Sequence, residues 1–249
     1  MKRIFSPATT KVVFFDMNNT LVDPQRSFEK CFVNVLADFV GRWATDDDWN
    51  PQAVLETYLA EWNKKAKWLK KKPAHASEAK KQCLAAALKP YPFQVNDAFV
   101  SAFFREIKNQ AKRHAVLYPY VLETLRHLSS RYRLAIISNG SKEHQDQVAE
   151  RLNLTAYIPR EHIFASKKGG FRKPNPAIFL NALKAMDIRA PQGVMVGDSW
   201  KNDVSGAMKC GMKTVWVYRL NAKKMSRRKV GKQTVVVVRS IRQLTDIFG

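Results

Sequence analysis

The chain has 249 residues, 45% of them hydrophobic, with 43 Lys or Arg against 21 Asp or Glu. That length and apolar content exclude a disordered chain and suit one large domain or a core domain with an insert. No apolar run approaches the roughly 20 residues of a membrane span, and the start MKRIFSPATT lacks the apolar stretch of a secretory signal, while the formal charge of +22 points to anionic partners.

The first strand is predicted over Lys11–Phe15, apolar on both faces and followed at once by Asp16. From about Pro24 to Arg113 only helical patterns occur. Phe28, Cys31, Phe32, Val35, Leu36 and Phe39 form one apolar stripe, and Val54, Tyr58 and Trp62 form a second. Phe99, Val100, Phe103, Phe104 and Ile107 form a third, after Asn96 as N-cap. These aromatic stripes read as packing surfaces. Residues 24–113 are therefore expected to be an inserted α-helical cap domain, with residues 1–23 and 114–249 as the core.

The core then alternates. A helix is predicted over Val121–Ser130, a strand over Leu134–Ser138 and a helix over Glu143–Leu152. The segment NPAIFLNALKAM has Asn175 as N-cap and Pro176 at the first helical position. A strand over Gly193–Gly197 precedes a helix over Asp203–Cys210, capped by Asn202 and closed by Gly211. Strands over Thr214–Val217 and Thr234–Val238 finish the chain, with NAKKMSRRKVGK read as a loop between them. Short apolar strands alternating with helices imply an α/β fold, a Rossmann-like doubly wound parallel sheet. Cys31, Cys83 and Cys210, odd in number and far apart, read as reduced thiols of a cytoplasmic protein.

In an open parallel sheet, ligands bind outside the carboxyl ends of the strands. Asp16 stands there, as do Ser138 with Asn139 and Gly140, Lys173 before a helix start, Asp198, and Asp203 five residues on. Clustered carboxylates repel one another, so a divalent cation is the natural compensation, and oxygen donors favour Mg2+. A lysine and a hydroxyl suit the charged oxygens of a transferring phosphoryl group, and a strand-end carboxylate can attack phosphorus.

Four stretches, FFDMNNTLVD, IISNGS, FRKPNPAIF and MVGDSWKNDVSGAMKCGMKTVWV, resemble the motifs of the haloacid dehalogenase superfamily. The closing TVVVVRSIRQLTDIF is similar to that fold's last strand and helix. The resemblance implies a Mg2+-dependent hydrolase, a phosphatase of a small phosphorylated metabolite. It makes Asp16 the nucleophile and a metal ligand, with the backbone carbonyl of Asn18, Asp198 and Asp203 completing the metal site. Ser138, Asn139 and Lys173 would hold the phosphoryl group, and the cap would select the substrate.

Asn18 departs from the pattern. Phosphatases of this family usually carry there a second aspartate that protonates the leaving group and later activates water. An amide cannot exchange a proton, and such general acid–base help is worth roughly 10²–10⁴-fold. Four readings stand: a phosphatase with weakened acid catalysis, a replacement that traps an intermediate, a 2-haloacid dehalogenase, and a catalytically impaired phosphate- or nucleic-acid-binding protein. The dehalogenase branch needs no metal and lacks the Gly-Asp of the last motif, so Gly197-Asp198 favours phosphoryl chemistry. A phosphonate-cleaving branch uses a cap lysine, and Lys64 to Lys72 supply lysines, but that branch's small residues after Asp16 are missing.

Between Lys213 and Arg242 stand ten Lys or Arg and no acid, six of them in the loop: Lys223, Lys224, Arg227, Arg228, Lys229 and Lys232. Weak, salt-sensitive polyanion binding is expected there through counterion release. The loop has no interleaved aromatics, so stacking on single-stranded bases is not expected.

Overall fold

The computed structural model describes residues 4–40, 49–91, 94–111, 114–166 and 170–248, so the expected end of the insert at Arg113 lies outside the described residues. In chain order the elements are β1 (Val12–Phe15), α1 (Pro24–Val40), α2 (Pro51–Leu69), α3 (Ala76–Leu88), α4 (Asp97–Gln110), α5 (Val121–Ser129), β2 (Arg133–Ser141) and α6 (Lys142–Arg151). There follow β3 (Ile163–Ser166), α7 (Pro176–Ala185), β4 (Gly193–Gly197), a π-helical turn (Trp200–Ser205) leading into α8 (Gly206–Lys209), β5 (Lys213–Val217), β6 (Met225–Val230), β7 (Gln233–Val238) and α9 (Leu244–Ile247). They form two compact units, Met1–Pro24 with Ala115–Gly249, and Gln25–His114.

The first unit is built on one seven-stranded sheet in the order β3-β2-β1-β4-β5-β7-β6. All pairings are parallel except β6 against β7. Successive side chains of a strand point to opposite faces, and β1 shows the consequence. Val13 and Phe15 enter a core with Leu125 of α5, Val148 of α6 and Ile247 of α9. Val12 and Phe14 enter a second core with Phe179 of α7 and Ala207 of α8. Helices on both faces make the doubly wound α/β fold expected from the sequence.

The order of strands matters more than their number. β1 lies between β2 and β4, so the carboxyl ends of these three strands are neighbours. Asp16, Ser138 and Asp198, far apart in the chain, therefore meet at the carboxyl end of the sheet.

Two strands were not expected from the sequence. β3 is only four residues long. β6 replaces the predicted loop, pairing from Met225↔Val238 to Val230↔Gln233. Gly231 closes that hairpin with φ +57°, and a two-residue turn of this hand suits the twist of the strands. Farther back, Ser199 accepts from Asn202 N–H and is the N-cap, so the helix predicted at Asp203 begins three residues earlier and Asn202 is not its cap.

The second unit, residues 25–114, contains only helices among its described regular elements. Phe32, Leu36, Tyr58, Leu84 and Phe103 form its core. Phe32 packs edge-on to Phe103 at 5.0 Å, and Asn96 caps α4 by accepting from Phe99 N–H. No described helix of the chain is long and apolar enough to cross a membrane.

Candidate active site

Asp16 follows the last residue of β1, and its N–H continues the sheet by donating to Val196 O at 2.9 Å. The side chain is thereby fixed at the carboxyl end of the sheet. Ser138 lies in β2, almost fully buried, and accepts from Gly140 N–H at 3.3 Å. Asp198 follows β4. Asp203 sits inside the π-helical turn and reaches back, accepting from Ser199 N–H at 3.0 Å.

Gly197 is what allows that return. A Cβ at position 197 would stand 2.4 Å from the carboxyl carbon of Asp203. Any side chain there would push this carboxylate out of place.

Lys173 is the hub. It arrives from the loop before α7, and its ammonium is buried. Nζ donates to Asp16 Oδ1 at 2.6 Å, Ile137 O at 2.6 Å and Asp203 Oδ1 at 2.7 Å, so its three protons have three acceptors. Asn139 fixes the lysine from behind. Its Nδ2 donates to Lys173 O at 3.0 Å, and its Oδ1 accepts from Lys173 N–H at 2.7 Å. Both ends of the amide thus engage the Lys173 backbone, a positioning role that leaves the second Nδ2 proton for the substrate contact expected of it.

Electrostatically the cluster is short of positive charge. One ammonium faces the carboxylates of Asp16, Asp198 and Asp203. Burial pushes the Asp16 carboxyl up to about 7, Lys173 opposes this, and Asp203 and Asp198 add to it. Asp198 is raised as well, first by burial and then by Asp203. Burial works to lower the Lys173 ammonium, but Asp16 and Asp203 outweigh it and hold its pKa above that of an ordinary lysine. Such an arrangement calls for a second cation. Asp16, Asp198 and Asp203 can each offer one oxygen with all three within 4.8 Å of one another. Hard oxygen donors at that spacing fit a small divalent ion such as Mg2+.

A cavity of about 470 Å³ opens here, and Asp16, Asn18, Ser138, Asn139, Lys173, Asp198 and Asp203 all line it. Every candidate site residue read from the sequence is therefore in one place. Asn18 is exposed at its mouth. Other lining residues escaped the sequence reading, Arg172 and Asn202 among them. Arg172 stands next to Lys173 in the FRKPNPAIF stretch. Two residues outside that lining also approach the site: Thr20 of the first motif, whose hydroxyl lies 3.5 Å from Asp198 Oδ1, and Arg219 of the basic stretch, which donates to Asn19 O at 2.5 Å.

The family model of haloacid dehalogenase-like hydrolases matches residues 10–211. This chain belongs to that family. It is 31% identical over 213 residues to a glyceraldehyde 3-phosphate phosphatase of Pyrococcus abyssi, covering 83% of this chain and 80% of the relative. In fold it is similar to the HAD-hydrolase YfnB of Bacillus subtilis bound to magnesium, with TM-score 0.62 and 18% identity over 96% of this chain and 98% of that one. It is also similar to a 2-haloacid dehalogenase of Pseudomonas syringae, with TM-score 0.55 and 22% identity over 96% and 97%. This haloacid dehalogenase-like hydrolase thus shares its fold with hydrolases of carbon–halogen bonds as well as with metal-bound relatives.

Proposed function

We propose that this hydrolase is a Mg2+-dependent phosphatase of a small phosphorylated metabolite, acting through an aspartyl-phosphate on Asp16. The carrying observation is the buried Asp16–Lys173–Asp203 contact, two carboxylates sharing one ammonium, with the Asp198 carboxylate close to both. Similarity to a glyceraldehyde 3-phosphate phosphatase supports a small phosphate ester as substrate. The helical insert is read as the family's cap, the unit that selects among such esters.

Asp16, Asp198, Asp203 and the carbonyl of Asn18 would hold Mg2+. When bound, the ion supplies positive charge that the cluster lacks and that a phosphate dianion needs. Lys173 engages Asp16 Oδ1, which leaves Oδ2 as the attacking oxygen. It forms a bond to phosphorus as the ester oxygen leaves. Ser138 and Lys173 stabilise the phosphoryl oxygens during transfer. Water then cleaves the aspartyl-phosphate, releasing phosphate and restoring the carboxylate. Asn18 can neither give a proton to the leaving oxygen nor take one from the attacking water, so solvent supplies the first and accepts the second. Turnover should therefore be slow with poor leaving groups.

The test is phosphate release from a panel of sugar phosphates, nucleotides and phosphorylated acids, with Mg2+ and with a chelator, alongside a 2-haloacid control. Phosphate release that needs Mg2+ supports the reading. Halide release that persists in the chelator would overturn it in favour of the dehalogenase chemistry.

A further inference from the structure

The ten cations between Lys213 and Arg242 have no role in the proposed chemistry, and none forms an ion pair with a described carboxylate. The fold gathers them around the β5–β7–β6 side of the sheet. β6 is the edge strand, and Arg227, Arg228 and Lys229 are exposed along it. β6 itself has no aromatic residue, but the fold sets rings of β5 and of the π-helical turn beside it. Val235 stands opposite Arg228, Val237 opposite Ser226, and Trp216 beside Val237. Residues directly paired across a sheet point to one face, so Arg228 and Trp216 share a face.

On that face the rings form a row. The Arg228 guanidinium lies 4.6 Å from the Trp200 ring centre. Trp200 meets Trp216 edge-on at 5.0 Å, and Trp216 stacks on the exposed ring of Tyr218 at 4.5 Å and 15°. The row ends beside the catalytic cavity, because Trp216 Nε1 donates to Asp198 O at 2.8 Å. Arg219, next in the chain after Tyr218, lies 3.6 Å from the ring centre of Tyr118, a separate contact.

We infer that this edge, with Arg228 on the face of the Trp200–Trp216–Tyr218 row and Arg227 and Lys229 projecting from the other face of the same exposed edge strand, is a binding surface for single-stranded nucleic acid. Unpaired cations supply the sequence-independent attraction to phosphates. Rings and flat guanidinium groups at hand supply stacking partners for unpaired bases, which a duplex does not offer. The same cations without the rings would hold single and double strands alike, so the row makes the surface selective. The inference is independent of the phosphatase reading, since none of these side chains is assigned to phosphoryl transfer.

The experiment is fluorescence anisotropy of a labelled oligonucleotide of about 20 nucleotides, single-stranded and as a duplex, titrated with the full chain across a range of salt. The single strand is expected to bind at least several-fold more tightly than the duplex. Neutralising the strand with Arg227→Ala, Arg228→Ala and Lys229→Ala together should weaken binding about tenfold or more at low salt. The salt slope should fall by about 2, as loss of about three single-strand phosphate contacts predicts. Arg228→Lys, which keeps the charge and loses the flat group, should narrow the preference for single strand. Thermal unfolding confirms that the variants fold. As a comparison, Lys64, Lys65, Lys67, Lys70, Lys71 and Lys72 of the helical insert are neutralised together, which should leave the preference unchanged. Equal binding of duplex and single strand, undiminished binding by the β6 variant, or loss confined to the insert variant would each overturn the assignment. So would binding to phosphatidylserine vesicles without binding to the oligonucleotide.

Discussion

Replacing Lys173 with Met removes the ammonium while keeping most of the buried stem. Three hydrogen bonds of 2.6 to 2.7 Å are lost, and the carboxylates of Asp16 and Asp203 are left without the cation they share. Breaking a buried ion pair from one side costs about 3–5 kcal/mol. Here the loss is moderated, because Asp16 already titrates near 7 and can take up a proton instead of standing charged. The effect therefore depends on pH, and its sign follows from linkage. A carboxyl whose pKa is raised by folding contributes stability below its unfolded value of 3.8, and loses it as pH climbs to its folded value. In the native chain that loss is complete just above pH 7. Without Lys173 the Asp16 pKa rises further, so the variant goes on losing stability up to about 1.4 kcal/mol for each further pH unit. In the presence of a chelator the expected destabilisation is about 3 kcal/mol at pH 8, a fall in Tm of roughly 6–12 °C, and visibly less at pH 6. Thermal unfolding followed by circular dichroism at both pH values measures it. Mg2+ should recover part of the loss at pH 8 by replacing the missing positive charge. A Tm unchanged at pH 8, or a larger loss at pH 6 than at pH 8, would refute the shared-ammonium account of this cluster.

Three further outcomes are expected. Mg2+ should raise the Tm of the native chain more at pH 8 than at pH 5.5, because a proton on Asp16 competes with the metal and weakens binding by roughly 30-fold at the lower pH; an equal gain at both would remove Asp16 from the metal site. Asn18→Asp should raise turnover of alkyl phosphates within the roughly 10²–10⁴-fold range of acid–base catalysis, and raise that of p-nitrophenyl phosphate less, since its leaving group is stable as an anion; equal gains would show that Asn18 does something else. Gly197→Ala should force Asp203 away from Lys173, whose 2.7 Å contact would lengthen, and should cost about 1–3 kcal/mol and most of the phosphatase activity, read by unfolding and by steady-state assay. Full activity in that variant would mean that Asp203 is dispensable.

Much of the core was legible along the chain because its signals are local. Val12–Phe15 is apolar throughout, as a strand covered on both faces must be, and the polar residue that follows marks the sheet's open end. Asn96 and Asn175 declare helix starts by the hydrogen bonds that their side chains can accept, and both do so here. β6 stayed hidden because an edge strand need bury little, and Ser226-Arg227-Arg228-Lys229, four polar residues in a row without alternation, reads as solvated loop. Its one local sign was Gly231 and Lys232 between two strand-like runs. The start of the π-helical turn was misplaced for a related reason, since Ser199 and Asn202 are both natural caps and only the packing chooses between them.

The sequence by itself determined which groups could meet: strand-end carboxylates, a hydroxyl and a lysine, in an order that a parallel sheet brings to one edge. The tertiary structure alone decided how they are used. It engages the Asn139 amide with the Lys173 backbone, gives one ammonium to two carboxylates, and makes Gly197 indispensable to Asp203. It also sets Trp200, Trp216 and Tyr218 beside a basic strand whose own sequence has no ring. The physical reason is the same in each case. Composition and periodicity report what a residue offers, whereas hydrogen bonds and ring contacts between distant positions depend on strand order and register, which no local signal contains.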